Sequence, residues 1–238
     1  MHFEILKNPM SMLEVSFDKG ETITAEAGAL VYMIGGIEIK TKMRHGGLFK
    51  NLKVMVLGRE SFFVNDFVAQ ENGCQLGLSG PPVGDIIEIP ITPSSGFIVQ
   101  SGSYIASTTG VELDTKWQGF TKGLFGTEFF MLKALGSGSI FCNAYGGIIE
   151  KHLKPGEKIL IDNYHLVALH ENMDYKVSQF GGLKNTILGG EGLVTEITGP
   201  GTVFFQTKNL KELIDLLGIR SSQETRQPGM SFGGFRIP

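Results

Sequence analysis

Cysteine is scarce in this sequence, which has only Cys74 and Cys142 among its 238 residues. Both lie in apolar, strand-like contexts, and a chain of this length can bury a core without covalent staples. We therefore expect two free, buried thiols in a reducing compartment.

Long hydrophobic runs are absent too. No stretch approaches the ~20 apolar residues of a membrane span. The first ten residues, MHFEILKNPM, contain neither the apolar core of a secretion signal nor the Arg- and Ser-rich composition of a transit peptide. These absences predict a cytoplasmic protein.

Neither sign of charge is in large excess, since 21 Lys and Arg stand against 24 Asp and Glu, for a formal net charge of -3. A general nucleic-acid binder needs a basic surface, so nucleic acid is not expected as a partner. The sequence is instead rich in glycine (33) and phenylalanine (17), which favours short strands joined by tight turns. We expect an all-β protein.

The main positive feature is a stretch that the chain repeats without gaps. Residues 23–41 align with residues 97–115 after a shift of 74, and these align with residues 159–177 after a further shift of 62. The columns match in character and contain, among others, the sets Glu26, Gln100 and Asp162; Val31, Ile105 and Val167; and Glu38, Glu112 and Asp174. Three copies of about six short strands each are predicted.

The repeat divides the chain into segments 1–80, 81–147 and 148–218, followed by a tail at 219–238 that lacks periodicity and is predicted to be flexible. Each copy begins after a turn, at 19–21, 93–96 and 155–157. The one predicted helix lies near the end, where Asn209 can cap residues 210–217 and Gly218 can stop them.

These features resemble a known family. The threefold repeat, the Gly-Gly-Leu loops at 46–48 and 181–183, and a Gly-x-Glu before an apolar strand are similar to the family of the altered-inheritance-of-mitochondria protein twenty-four. The resemblance covers residues 1–217. It implies three double-stranded β-helix subdomains with pseudo-threefold symmetry, like the β-sandwich fold of the trp RNA-binding attenuation protein. The eukaryotic namesake is associated with mitochondrial inner-membrane organisation, and no match to the tryptophan or RNA sites is found here.

The Gly-x-Glu glutamates are a candidate metal site: Glu60, Glu128 and Glu191. Threefold symmetry would bring them to a common axis, where carboxylates ~6 Å apart repel by about 3 kcal/mol per pair. Such a cluster would need a cation or shared protons. Alternatively, each carboxylate accepts hydrogen bonds from the backbone of its own glycine turn.

The glycine-rich loops form a candidate binding surface, because each carries a lysine beside apolar residues: Lys50 with Phe49, Lys122 with Phe120 and Phe125, and Lys184 with Leu183. If the loops gather at one end, three lysines would contribute about 3 kcal/mol toward an anionic membrane. In the alternative, the apolar residues fold back onto their own core.

No catalytic triad, phosphate loop or dinucleotide fingerprint is present, so no catalytic residue or cofactor is predicted. His165 and His170 are five residues apart, which on a strand places them on opposite faces, unsuited to one metal. We therefore expect a non-catalytic binding or scaffold protein that is homo-oligomeric through its strand edges, with a membrane or a larger assembly as its candidate partner. The alternative is a small-molecule or metal-dependent enzyme with its site on the pseudo-threefold axis.

Overall fold

A computed structural model describes residues 1–6, 10–43, 63–114, 131–179 and 193–218. This part of the chain consists mainly of antiparallel strands and contains one short α-helix, so the predicted all-β class is confirmed. The first segment contains β1 His2–Leu6, β2 Met12–Phe17, β3 Thr22–Glu26, β4 Leu30–Ile34, β5 Ile37–Met43, β6 Phe63–Ala69 and β7 Cys74–Leu78.

The second and third segments each contain six strands, and a 3₁₀ turn at Ser101–Ser103 lies between the second and third strands of the second segment. The second segment contains β8 Ile86–Ile91, β9 Phe97–Gln100, β10 Tyr104–Thr108, β11 Val111–Asp114, β12 Met131–Gly136 and β13 Gly138–Asn143. The third contains β14 Ile148–Leu153, β15 Lys158–Asp162, β16 Leu166–His170, β17 Asp174–Gln179, β18 Leu193–Thr198, β19 Gly201–Gln206 and the helix α1 Leu210–Leu216.

The described strands form four sheets, and two of these sheets are shared between neighbouring segments. In order across each sheet, the strands are β1-β2-β7-β4, then β5-β6-β3-β10-β13-β8, then β11-β12-β9-β16-β19-β14, and finally β15-β18-β17. The second sheet therefore joins segments one and two, and the third joins segments two and three. The segments are held together by continuous backbone hydrogen bonding.

Two antiparallel ladders make these joins, and their registers correspond. Ala25 of β3 lies opposite Ala106 of β10. Val99 of β9 lies opposite Ala168 of β16. The shifts of 74 and 62 found in the sequence convert the first pair into the second, so the aligned columns occupy matching places in both ladders.

A β-bulge also recurs in one sequence column. The register shifts between Leu30 and Tyr32 where β4 pairs with β7. It shifts in the same way at Ile105 in β10 and at Val167 in β16. A bulge places one extra residue in a strand and increases its local twist. The extra residues are the set that the alignment brings together: Val31, Ile105 and Val167.

The core consists of three apolar clusters, each of which takes residues from more than one segment. Alternation in β2 buries Leu13, Val15 and Phe17, as the period-two pattern predicts. Central side chains of the clusters include Phe67 and Leu76 in the first, Val99 and Leu132 in the second, and Leu169 and Ile197 in the third.

Several local predictions can be compared with this fold. Asn209 Oδ1 accepts a hydrogen bond from Glu212 N at 2.9 Å, so the predicted cap of α1 is confirmed, although the helix ends one residue early at Leu216. Cys74 and Cys142 are free and buried, as expected. The alternation of Ile37, Ile39 and Thr41 with charged residues predicts that all three face the core, but this is wrong at Ile39 and Thr41, which are exposed on the edge strand β5.

Candidate functional site

The residues singled out from the sequence as binding or metal sites all lie outside the described part of the chain. This applies to the loop surface, with Phe49, Lys50, Phe120, Lys122, Phe125, Leu183 and Lys184, and to the glutamates Glu60, Glu128 and Glu191. The convergence of the loops and of the glutamates stays a prediction.

The most exposed apolar strand that the structure describes is β4. Its sequence, LVYMI, contains no polar residue except the tyrosine, yet four of its five side chains face solvent. Val31 and Ile34 are each 56% exposed, and Leu30 and Met33 are close to 40% exposed. Among the described strands β4 pairs only with β7, which leaves its other edge with unpaired N–H and C=O groups.

Tyr32 holds β4 in place through its side chain. Its hydroxyl donates a hydrogen bond to the carboxylate of Glu14 on β2, and this bond raises the pKa of Tyr32 to about 12. The ring crosses over Gly77 of β7, where any Cβ would overlap its carbon atoms. The glycine and the hydrogen bond together fix β4 across β7, so its apolar side chains are presented in a defined arrangement.

A second exposed edge belongs to the three-stranded sheet. β15 is the first strand of the three-stranded sheet and, in the described residues, pairs only with β18. Leu160, at the middle of β15, is 48% exposed. Lys158 at its start is paired with Glu196 of β18 at 2.8 Å, on the side away from the free edge.

A small pocket lies where segments two and three meet. It has a volume of about 10 Å³ and is lined by Gln100, Gly102, Ser103, Tyr145, Tyr164, Gln206 and Leu210. A space of this size holds about one water molecule and no organic substrate.

The neighbouring histidine has a structural role. His165 Nδ1 donates to the carbonyl oxygen of Gln206 at 2.7 Å, and its Nε2 lies 2.8 Å from the side-chain amide of Asn209. A carbonyl can only accept, so Nδ1 carries a proton, and both ring nitrogens have hydrogen-bond partners. His170 is likewise occupied, with Nε2 3.0 Å from Ser95 Oγ. Both histidines support the packing of segment three.

Glu26 is the one described carboxyl group whose pKa is strongly displaced upward. It ends β3, and burial raises its pKa from 4.5 to about 7. In the same sequence column, Gln100 is buried beside the small pocket, and Asp162 accepts a hydrogen bond from Tyr164 N at 2.8 Å. A displaced carboxyl can mark a catalytic acid, but Glu26 does not line the small pocket described above, so we treat it as a determinant of stability.

The described residues contain neither a metal-binding cluster nor a membrane-spanning helix. No group of three or more His, Cys, Asp or Glu side chains there is arranged to hold a metal ion. The helix in this part of the chain is also too short to cross a membrane.

Sequence reasoning did not identify β4 and β15 as a candidate site. The available signal was the repeat itself, because β4 shares its columns with β10 and β16, and β15 shares its columns with β3 and β9. Central columns such as that of Val31, Ile105 and Val167 are apolar in all copies and do not reveal which copies lack a neighbouring strand.

Comparison with known proteins places the chain among uncharacterised relatives. An uncharacterized protein of Streptococcus pyogenes is 25% identical over 213 residues, covering 87% of this chain and 85% of that protein. The crystal structure of a second Streptococcus pyogenes protein superposes with a TM-score of 0.73 at 24% identity, covering 91% of this chain and 98% of that one, which shows a shared fold. A family model described as mitochondrial biogenesis AIM24 matches residues 3–208. The chain therefore belongs to the mitochondrial biogenesis AIM24 family.

Proposed function

We propose that this chain is a non-catalytic binding or scaffold protein that acts through exposed surfaces of its sheets. The observation that carries the proposal is β4, where apolar side chains face solvent beside an unpaired strand edge. Large exposed apolar patches are uncommon on soluble monomers and mark places where another molecule binds. A free edge adds backbone donors and acceptors that an added strand can use.

The proposal includes the finer architecture expected from the sequence. The three segments would be equivalent repeats, similar to the subunits of the trp RNA-binding attenuation protein. The corresponding registers of the β3–β10 and β9–β16 ladders support this, as does the bulge repeated in one column. Pseudo-threefold symmetry stays a prediction, which requires a rotation near 120° to superpose Glu26 on Gln100 and then on Asp162.

We expect the purified chain to associate through the β4 edge at micromolar concentration, because an uncharged edge strand readily pairs with another strand. Replacing Val31 and Met33 by lysine should abolish this association, since two charges on the edge oppose strand addition. Sedimentation velocity would measure the change. Both positions are exposed, so the free energy of unfolding should stay within about 0.5 kcal/mol of the parent.

Ile149→Lys provides the matched control, because Ile149 is an exposed apolar residue on β14, which is also an edge strand. Its neighbours Glu150, Lys151 and His152 already make that edge polar, so association should be unaffected. A parent chain that stays monomeric and also binds no membrane would contradict the proposed function.

A membrane surface is the other proposed partner, with the cytoplasm as the proposed location. The lysines of the glycine-rich loops would contact anionic head groups, and Phe49, Phe120 and Phe125 would contact the acyl chains. Changing Lys50, Lys122 and Lys184 together to glutamate should abolish co-sedimentation with vesicles that contain phosphatidylglycerol. Thermal stability should change by no more than about 1 kcal/mol. Unaltered vesicle binding, or unfolding of the triple variant, would show that the loops only support packing.

A further inference from the structure

The three segments are joined by two ladders of one type, and the third ladder of that type is not formed among the described residues. In each existing join, the first strand of a repeat copy pairs with the second strand of the next copy: β3 with β10, and β9 with β16. The strands left over are β4, the second strand of copy one, and β15, the first strand of copy three. Within the described ranges, each of them pairs on one side only.

The exposure of these strands differs sharply from that of their counterparts. Val31 of β4 is 56% exposed, whereas Ile105 and Val167 in the same column are fully buried at 0%. Leu160 of β15 is 48% exposed, whereas its column partner Ile98 is 1% exposed. Residues of one type are therefore buried where the ladder exists and exposed where it is missing.

The chemistry of the edge also sets β4 apart. The four described sheets have eight edge strands, two per sheet. Proteins usually protect such edges with charged residues or proline. Among these eight strands, β4 alone contains neither; β5, β11 and β14 carry Glu38, Glu112 and Glu150, and β8 carries Pro90. The β4 edge has the composition of an interior strand.

We infer that β4 of one copy of this chain pairs with β15 of a second copy, in the antiparallel register that joins the segments within each chain. Within the chain, Ala106 lies opposite Ala25, and Ala168 lies opposite Val99. Applying the sequence shifts of 74 and 62 to these pairs places Tyr32 of one copy opposite Ile161 of the other. Met33 then lies opposite Leu160, and Ile34 lies opposite Ile159. This inference rests on the proposed binding function and adds the partner and the register.

The central pair of the inferred ladder has a direct counterpart inside the chain. Met33 opposite Leu160 corresponds to Leu169 opposite Ile98, and both of the latter are buried. Apolar pairs directly across a ladder stabilise it. The new contact would therefore bury, at the join between copies, two exposed side chains whose counterparts Leu169 and Ile98 are already buried.

Such an interface is head-to-tail, because it joins two different surfaces. Each added copy covers one β4 edge and supplies another, so the assembly grows until it closes into a ring or continues as a filament. Both outcomes extend the row of joined sheets without any new type of contact.

Cysteine cross-linking between two singly substituted chains tests the inference. Mixed under oxidising conditions, Met33→Cys and Leu160→Cys chains should form a disulfide-linked dimer of twice the mass of one chain, because their Cβ atoms would lie directly opposite in the ladder. Mass spectrometry of the linked peptides identifies the pair. Each variant incubated alone controls for links through the native thiols, which are buried.

Ile34→Cys mixed with Leu160→Cys is the control for register. Ile34 is more exposed than Met33, but neighbouring residues of a strand point to opposite faces, so this mixture should not cross-link. A doubly substituted Met33→Cys/Leu160→Cys chain gives a third result: an internal disulfide without mixed dimers would mean that the third ladder closes within one chain, which overturns the inference.

The remaining outcomes separate this inference from the proposed function. Cross-linking of Met33→Cys chains to one another would show a symmetric β4–β4 contact and overturn the head-to-tail register, while the scaffold function would stand. Association of the parent chain without any β4–β15 link would also overturn the head-to-tail register and leave the scaffold function standing. Absence of self-association and of vesicle binding overturns both.

Discussion

A Glu26→Gln variant is expected to be about 3 kcal/mol more stable than the parent at about pH 8, and equally stable at about pH 4. Burial raises the pKa of Glu26 to about 7, against 4.5 for the ordinary group. Ionising this carboxyl therefore costs more free energy in the folded protein than in the unfolded chain. Glutamine carries no charge to desolvate, and Gln100 already occupies the same sequence column in a buried position.

The sign of the pH dependence follows from proton binding. Between pH 4.5 and about 7 the folded state holds the Glu26 proton and the unfolded state releases it. The stability that this group provides is thus fully present below pH 4.5, falls as the pH rises to about 7, and is constant above that. The difference between parent and variant should grow over the same window.

Urea denaturation at a series of pH values measures this effect, with Glu112→Gln as the control. Glu112 is exposed on β11, so its replacement should change the free energy of unfolding by less than about 0.5 kcal/mol at any pH. A Glu26→Gln variant whose stability parallels that of the parent across the window would show that the Glu26 carboxyl is solvated, contrary to its burial.

A Gly84→Ala variant is expected to lose about 3 kcal/mol of stability, at the upper end of the usual cost of overpacking. Gly84 forms an isolated parallel bridge with Gly146. A Cβ at Gly84 would lie 2.5 Å from Ala144 O and closer still to the backbone O and N of Gly146. Backbone atoms cannot move aside as a flexible side chain can, so the two segments of chain must separate.

That separation would break the hydrogen bonds on either side of the bridge. Asp85 N donates to Gly146 O at 2.8 Å, and Gly146 N donates to Val83 O at 3.0 Å. These bonds connect the start of segment two to its end. The expected loss corresponds to a fall in Tm of about 6–12 °C for a chain of this size.

Gly147→Ala is the matched control for Gly84→Ala. The nearest atoms to a Cβ at Gly147, Asp85 Oδ2 and Thr207 Cγ2, are both 3.7 Å away, which is an ordinary contact. Its stability should stay within about 1 kcal/mol of the parent. Thermal melts monitored by circular dichroism would compare the two variants, and equal Tm values would contradict the steric account of Gly84.

The all-β class and the positions of many strands could be predicted because the alternation and turn residues that indicate them are local in sequence. The columns that contain Ala25, Val99 and Ile161 all fall in first strands, and the turns before them lie where proline and glycine predict. The cap at Asn209 was predictable because it is a local feature that depends only on residues within one turn of helix.

The exposed edges could not be predicted in this way. Val31, Ile105 and Val167 are nearly identical in chemistry, and only the presence of a neighbouring strand makes the last two buried. That presence depends on contacts distant in sequence. Glu26 illustrates the same limit, because Gln100 and Asp162 share its column but differ from it in burial and hydrogen bonding.

The two sheets that are shared between segments also determine when each sheet can be completed during synthesis. Ala25 of β3 pairs with Ala106, 81 residues later, so at ribosomal rates of about 5–20 residues per second the β3 edge waits roughly 4–16 s for its partner. Val99 of β9 waits similarly for Ala168. Each nascent segment therefore presents an incomplete sheet until the next one emerges, and chaperones that bind apolar strands would have their longest opportunity at these two points.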